Sequence, residues 1–254
     1  MAEIRVAAVG DVHVGRDTRA FPDGRLDQLH DQADVLLLAG DLTQHGYAHE
    51  AGVLAGELLG LRLPVVAVLG NHDYHQGDES RIRAELERAK VIVLEGQSTV
   101  LHVSGMEIGI AGAKGFGGGF SGACGSDFGE DEMKAFMRHS RARADALYAA
   151  LEGVRCDVKI ALTHYAPTKH TLLGERLEIY PFLGSYYLAE AIDRTGCTAA
   201  FHGHAHAGTE RGITPGGVPV RNVARPVIKH AYKVYTLSNG AALSDVAIAS
   251  VRSA

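Results

Sequence analysis

Five short apolar segments, each ending abruptly in polar residues of metal-ligand type, constrain this chain more than any other feature. These segments are residues 4–10, 34–39, 65–69, 158–163 and 199–201. Short runs rich in Val, Leu and Ala are typical of strands in a sheet that is covered on both faces. Because ligand sites in open α/β sheets lie at the carboxyl ends of the strands, the pattern predicts a metal site along one sheet edge.

The residues that follow these segments carry carboxylate, imidazole and carboxamide groups, and no thiolate. A mixed set of oxygen and nitrogen donors suits Mn, Fe, Zn or Co better than Ca or a cysteine-rich structural zinc. Two ions that share one bridging carboxylate, about 3.5–4 Å apart, form a clamp for in-line displacement at phosphorus and activate water near pH 7. The candidate ligands are Asp11, His13, Asp41, Asn71, His164, His204 and His206.

The spacing of apolar residues between the segments predicts helices, which alternate with strands up to residue 95 and indicate parallel βαβ units. The predicted helices cover residues 47–61, 80–90, 130–151 and 185–194. Two other regions favour consecutive antiparallel strands. Their runs are residues 91–94, 99–103 and 107–111, and then 218–220, 234–237 and 246–249. A mixed two-sheet α/β sandwich flanked by helices, with residues 1–254 as one domain, accommodates both patterns.

Composition excludes several classes of protein. The formal net charge of −5 at pH 7 argues against a basic face that grips long nucleic acid. A small anionic substrate remains compatible, because bound cations reverse the local field. No apolar run approaches the about 20 residues of a membrane span. The three cysteines are scattered, which is typical of a reducing compartment, and a cytoplasmic location follows as the default expectation. The sequence leaves a homodimer open.

The five polar blocks, in this order along the chain, resemble the calcineurin-like metallophosphoesterase superfamily. The blocks are Asp11-x-His13, Gly40-Asp41, Gly70-Asn71-His72-Asp73, His164 and Gly203-His204-x-His206. Each block alone is short, but all five in order span most of the chain and make a specific signal. The resemblance implies a four-layer αββα sandwich with a dinuclear site.

The resemblance also implies a role for each residue of the site. One ion would take Asp11, His13 and His206. The other would take Asn71, His164 and His204, with Asp41 bridging the two. His72 would lie beside the scissile phosphate, where it stabilises developing charge or protonates the leaving oxygen, and Asp73 would hydrogen-bond the His72 imidazole and fix its orientation. His45 and His75 follow the second and third blocks closely and are weaker candidates to face the substrate.

The residues between the blocks indicate a subgroup. The block Gly40-Asp41 lacks the Asp-Arg-Gly element that continues it in protein serine/threonine phosphatases. Purple acid phosphatases have a tyrosine at the position of Gln44 and no histidine at the position of His13, so this chain differs from that subgroup at both positions. The combination of Gly-Asp-Leu-Thr with Gly-Asn-His-Asp looks more like bacterial class III cyclic nucleotide phosphodiesterases.

The predicted function is therefore dinuclear-metal-dependent hydrolysis of a small phosphodiester, such as a cyclic nucleotide, by metal-activated hydroxide. Two alternatives stay open: a phosphomonoesterase for a small phosphorylated metabolite, and a non-catalytic metal-binding scaffold. Two irregular stretches, residues 114–126 and 167–187, are candidates to line the substrate pocket.

Overall fold

The computed structural model describes residues 3–21, 26, 28–238 and 244–245 and contains strands at each of the five apolar segments. The strands are β1 (Glu3–Val9), β2 (Val35–Ala39), β3 (Val65–Val68), β4 (Ile92–Val93), β5 (Gln97–Val103), β6 (Met106–Ala113), β7 (Gly119–Phe120), β8 (Ala123–Cys124), β9 (Val158–Thr163), β10 (Ala199–His202), β11 (Arg211–Ile213), β12 (Pro219–Asn222), β13 (Lys233–Ser238) and β14 (Ser244–Asp245).

Two six-stranded mixed sheets contain twelve of these strands. The first has the order β14-β13-β1-β2-β3-β4, with β1 to β4 parallel and β13 antiparallel to β1. The second has the order β11-β12-β10-β9-β6-β5, with the four central strands parallel and both edge strands antiparallel to them. Strands β7 and β8 form a separate hairpin.

The described residues form seven α-helices, four of which pack on the outer faces of the two sheets. They are α1 (Leu29–Gln32), α2 (Ala48–Leu58), α3 (Glu79–Arg88), α4 (Asp131–Glu152), α5 (Tyr180–Leu183), α6 (Tyr186–Arg194) and α7 (Arg225–Ile228). Helices α2 and α3 belong to the same apolar cluster as the first sheet, and α4 and α6 belong to a second cluster with the outer face of the second sheet. Within the described residues, no helix combines the length and the apolar character that a membrane span requires.

Side-chain size alternates along the second sheet and explains how four layers fit together. In β9, Ile160 and Leu162 face the first sheet, whereas Ala161 faces the helices. In β10, Phe201 likewise faces the first sheet and Ala200 faces the helices. Successive strand residues point to opposite faces, so large residues fill the space between the sheets and alanines let α4 and α6 approach closely. The four-layer αββα sandwich is thus confirmed.

The predicted strand at 91–94 was assigned to the wrong neighbours. It forms β4, which pairs parallel to β3 at the edge of the first sheet, whereas β5 and β6 form an antiparallel hairpin in the second sheet. The chain crosses between the sheets at Leu94 to Gly96, where only three residues separate the two strands. The predicted strand at 246–249 lies outside the described residues, and the single domain over 1–254 stays a prediction.

Candidate metal centre

The carboxyl ends of β1, β2, β3, β9 and β10 meet at one edge of the sandwich. Three sets of side chains there offer ligand atoms that lie within 4.8 Å of one another. These sets are Asp11 with His13 and His206, then His13 with Asp41 and His72, and then Asp41 with His164 and His204. Asn71 joins them through its Oδ1, 2.9 Å from His164 Nε2. The structure therefore brings together all seven predicted ligands and His72.

The backbone at this edge adopts an uncommon conformation. Among the described residues, Asp11, His13, Asp41 and His204 have φ values of 56°, 44°, 50° and 70°. Left-handed backbone is rare for residues other than glycine and costs on the order of 1–3 kcal/mol at each position. Such conformations cluster at functional sites, where the surrounding structure holds them in place.

Glycines in three of the blocks make room for ligand side chains of other blocks. A Cβ at Gly70 would lie 2.1 Å from Asp41 Oδ1, and one at Gly203 would lie 2.3 Å from Asp11 Oδ2. A Cβ at Gly40 would lie 2.6 Å from His164 Nδ1. The glycines of the motifs are therefore required by the close packing of one strand end against the next.

The first set of ligands contains a buried nitrogen without a partner. His206 Nε2 lies 2.8 Å from Asp11 Oδ1, and the backbone N–H of His204 donates to both Asp11 carboxylate oxygens. His13 Nε2 is buried and has no hydrogen-bond partner; its nearest acidic atom is Asp41 Oδ2 at 3.8 Å. Buried polar atoms are nearly always satisfied in folded proteins, so this nitrogen fits the role of a metal ligand.

The third set, together with Asn71, places hydrogen-bond acceptors against one another. His164 Nδ1 lies 2.9 Å from the Ala39 carbonyl oxygen, which can only accept, so Nδ1 carries the proton and Nε2 is unprotonated. That Nε2 lies 3.2 Å from Asp41 Oδ1 and 2.9 Å from Asn71 Oδ1. Three lone pairs that converge in a buried site repel one another unless a cation lies among them. The donors present fit a pair of divalent ions.

Backbone carbonyls orient three of the imidazoles. His164 donates to Ala39, His204 Nε2 donates to the Phe182 carbonyl oxygen at 3.2 Å, and His72 Nδ1 donates to the Gln44 carbonyl oxygen at 2.8 Å. In the rings of His164 and His204 the other nitrogen is left unprotonated and can bind a metal ion. Outer hydrogen bonds of this kind fix the tautomer and direction of histidine ligands.

Burial favours the neutral form of the His13, His164 and His204 imidazoles, as metal binding requires. It lowers the pKa of His13 to about 4 and the pKa of His204 to about 3, and it holds the pKa of His164 well below its ordinary value. Burial also raises the pKa of Asp11 to about 6, and the nearby charge of Asp41 adds to this shift. A cation at the site would lower the pKa of Asp11 and would also favour the neutral imidazoles, because it stabilises carboxylates and neutral imidazoles together.

Comparison with known protein families decides the class of protein. The family model of calcineurin-like phosphoesterases matches residues 4–208, a stretch that includes every strand-end residue described above. The chain belongs to the calcineurin-like phosphoesterase family. It is therefore a metal-dependent phosphoester hydrolase, and the family's use of divalent metal ions agrees with the His and Asp groups at the sheet edge.

Solved structures with low sequence identity share the fold of this phosphoesterase. The phosphopantetheinyl hydrolase of Mycobacterium tuberculosis is 16% identical over 88% of this chain and 89% of that one, with a TM-score of 0.61. A putative 5'-nucleotidase of Staphylococcus aureus is 14% identical over 100% of this chain and 56% of that one, with a TM-score of 0.59. No curated protein matches the sequence significantly.

The predicted hydrogen bond between Asp73 and the His72 imidazole was wrong. The Asp73 carboxylate of the phosphoesterase accepts four other hydrogen bonds, from the backbone N–H groups of Gly70, Leu42 and Thr43 and from the Thr43 hydroxyl. These donors use both carboxylate oxygens, and the His72 ring finds its partner at Gln44 instead. Asp73 therefore links the third block to the loop that carries Asp41.

Replacing Asp73 with asparagine is expected to destabilise the metal-free phosphoesterase by about 1–3 kcal/mol, because the amide group faces N–H donors that it cannot satisfy. Burial and the charge of Asp41 raise the pKa of Asp73 to about 6, so the four hydrogen bonds hold a costly charge in place. Denaturant unfolding measures the effect. Asp127→Asn, at an exposed position, is the matched control and should leave the free energy of unfolding unchanged. Equal stability of both variants would contradict the linking role.

The two weaker histidine candidates differ in position. The His45 ring is held by Glu50, with Nδ1 2.9 Å from Glu50 Oε1. The His75 ring lies beside His72, with the ring centroids 4.6 Å apart. The His75 ring is therefore in contact with His72, whereas the His45 ring is paired with Glu50.

Proposed function

We propose that this phosphoesterase hydrolyses a small phosphodiester, such as a cyclic nucleotide, at a dinuclear site. The first ion would bind Asp11, His13 and His206, the second would bind Asn71, His164 and His204, and Asp41 would bridge them. The observation that carries the proposal is the pair of mismatches described above: the unpartnered His13 Nε2, and the His164 lone pair that faces the oxygens of Asp41 and Asn71. We further propose Mn, Fe, Zn or Co as the ions, because the donors combine nitrogen and oxygen.

Divalent ions in this position supply Lewis acidity and hydroxide near neutral pH. The protein itself supplies His72, which lies on the solvent-exposed side of the site. His72 is about one-third exposed, and its Nε2 lies 3.9 Å from Asp41 Oδ2 while Nδ1 donates to Gln44. We propose that Nε2 faces the substrate, where it stabilises charge on the phosphoryl oxygens or donates a proton to the leaving oxygen.

The substrate's organic group has a candidate place beside His204, a proposed ligand of the second ion. Phe182, whose carbonyl oxygen orients His204, also lines a cavity of about 500 Å³ with Met133, Phe136 and Cys124. Both irregular stretches that the sequence singled out contribute to this cavity. A volume of this size suits a small ligand and supports a small organic phosphoester over a long polymer.

A substrate panel tests the proposal. Metal-free protein reconstituted with Mn²⁺ should hydrolyse bis-p-nitrophenyl phosphate faster than p-nitrophenyl phosphate, and a set of cyclic nucleotides and dinucleotides would then identify the ester. A strong preference for p-nitrophenyl phosphate would favour the phosphomonoesterase alternative. Absence of hydrolysis with each of the four metals, in protein shown to hold two ions, would sink the proposal and favour a scaffold.

We also propose a cytoplasmic location. Its support is the set of three scattered cysteines, which are free thiols in the structure: Cys124, Cys156 and Cys197. Free thiols are typical of reducing compartments. Fractionation of the source cells with antibody detection would test this location.

A further inference from the structure

Lys114 lies at a sixth strand end on the edge that carries the metal centre. It directly follows β6, and β6 pairs parallel to β9 with Ala113 opposite Thr163. The next residue of each strand is therefore Lys114 and His164. The Lys114 carbonyl oxygen accepts the backbone N–H groups of His164 and Tyr165 at 3.1 and 3.0 Å. These backbone hydrogen bonds hold Lys114 beside His164, one of the proposed ligands.

Aromatic rings that adjoin the site surround the Lys114 ammonium. Its Nζ lies 4.7 Å from the centroid of Tyr74, 5.2 Å from that of Phe116 and 5.5 Å from that of Tyr165. Tyr74 comes two residues after His72, and the Tyr165 ring lies 4.4 Å from the ring of His204. The ammonium is therefore held between a ring next to the proposed catalytic histidine and a ring in contact with a proposed ligand.

In the described part of the chain, no carboxylate lies within ion-pair distance of the Lys114 ammonium. The residue is only 8% exposed and makes no salt bridge there. Glu95 interacts electrostatically with Lys114 over a longer distance, while its carboxylate accepts the backbone N–H of Lys114 at 3.2 Å and lies 3.6 Å from Arg143. Lysine is almost never this buried without a partner. Ring faces attract the charge but supply no oxygen acceptor for its three N–H groups.

We propose that Lys114 is a specificity-determining residue that donates to a non-bridging oxygen of the substrate phosphate, on the side of His164 and His204. The proposal rests on the proposed function for the identity of that anion. It gives the ammonium of this largely buried lysine an oxygen acceptor and explains why the residue after β6 is a cation while the other strand ends carry proposed metal ligands. A purely structural lysine would stabilise the packing of the three rings and would leave phosphate affinity unchanged.

Binding of inorganic phosphate to the metal-loaded protein tests this role without turnover. Lys114→Met keeps the length and apolar stem of the side chain and removes the charge. Titration calorimetry should show phosphate affinity about 10- to 100-fold lower, as expected for loss of a charge-assisted hydrogen bond. The metal content should stay as in the wild type. Lys134→Met, which changes a partly exposed lysine on α4, should bind phosphate like the wild type.

Two further variants test the same role if Lys114→Met does not fold. Lys114→Arg should keep phosphate affinity within a few-fold, and Lys114→Gln should lose it. Unchanged phosphate affinity in Lys114→Met or Lys114→Gln, at unchanged metal content, would overturn the inference, as would a metal-loaded wild type that binds no phosphate. If the wild type hydrolyses no ester but binds phosphate through Lys114, the proposed function fails and this inference stands.

Discussion

Replacing His72 with asparagine is expected to lower the rate of phosphodiester hydrolysis by about 10²- to 10⁴-fold, the usual contribution of a positioned acid or base. Both metal ions should stay bound, because His72 belongs to neither proposed ligand set. Asparagine keeps a polar group at the site but supplies no titratable nitrogen at the position of Nε2. Initial rates together with metal analysis of the same sample measure both quantities.

The leaving group separates the two roles proposed for His72. p-Nitrophenolate leaves without a proton, whereas an alkoxide needs one. If His72 Nε2 donates that proton, His72→Asn should slow an alkyl ester more than bis-p-nitrophenyl phosphate. If the ring mainly stabilises charge on the phosphoryl oxygens, both esters should slow by a similar factor.

His75→Asn is the matched control for His72→Asn, since its ring packs beside His72 and the residue is exposed. We expect this variant to keep its metals and to lose at most a few-fold in rate. Two results would contradict the role of His72: a rate for His72→Asn like that of the wild type, or a rate that falls only in proportion to lost metal.

Replacing Gly70 with alanine is expected to disrupt the centre, although the change adds one methyl group. The new Cβ would lie 2.1 Å from Asp41 Oδ1 and 2.2 Å from the Asp41 backbone nitrogen, so the proposed bridging carboxylate must move. Displacement of a reacting or coordinating group by about 1 Å costs on the order of 10²-fold in rate, and disturbed outer contacts cost about 10- to 100-fold in metal affinity. Metal titration and initial rates measure the two losses.

Gly56→Ala is the matched control for Gly70→Ala. Gly56 lies on the exposed face of α2, and a Cβ there meets nothing within 4 Å. Alanine should stabilise the helix by about 1 kcal/mol through its higher propensity, with metal affinity and rate unchanged. If Gly70→Ala bound metal as tightly as Gly56→Ala, Asp41 would not be held in the position that we assign to it.

The strand ends could be predicted from the sequence because burial and chemistry change abruptly at one residue. Fully apolar runs such as Val35–Ala39 fit a sheet covered on both faces, and in β2 every residue is buried. A parallel strand order then brings Asp41, Asn71 and His164 to one edge without any knowledge of side-chain packing. The proposed ligand set follows from local sequence and topology alone.

Contacts between blocks could not be predicted in the same way. The four donors to Asp73 are mostly backbone N–H groups, and the partners of His72 and His204 are the carbonyl oxygens of Gln44 and Phe182. Backbone atoms carry no residue-type signal, so only the folded structure shows which side chain they orient. The change of sheet between β4 and β5 was missed for a related reason, because strand patterning does not name the neighbouring strand.

The position of Lys114 at a strand end is visible in the sequence, but the strand pattern alone does not place it at the metal edge. The pattern of residues 107–111 predicts only an antiparallel strand, which agrees with the hairpin of β5 and β6. On its other side β6 is parallel to β9, and this pairing brings the end of β6 to the metal edge. A strand in a mixed sheet can satisfy both patterns, so its last residue should be considered with the other strand ends.

The central claim is that seven side chains hold two ions and that hydrolysis needs both. Its most direct test is a titration of metal-free protein with Mn²⁺, in which bound metal and the hydrolysis of bis-p-nitrophenyl phosphate are measured on the same samples. We expect binding to saturate at two ions per chain and the rate to reach its plateau only when the second ion is bound. Saturation at one ion, or two bound ions with no hydrolysis, would contradict this account.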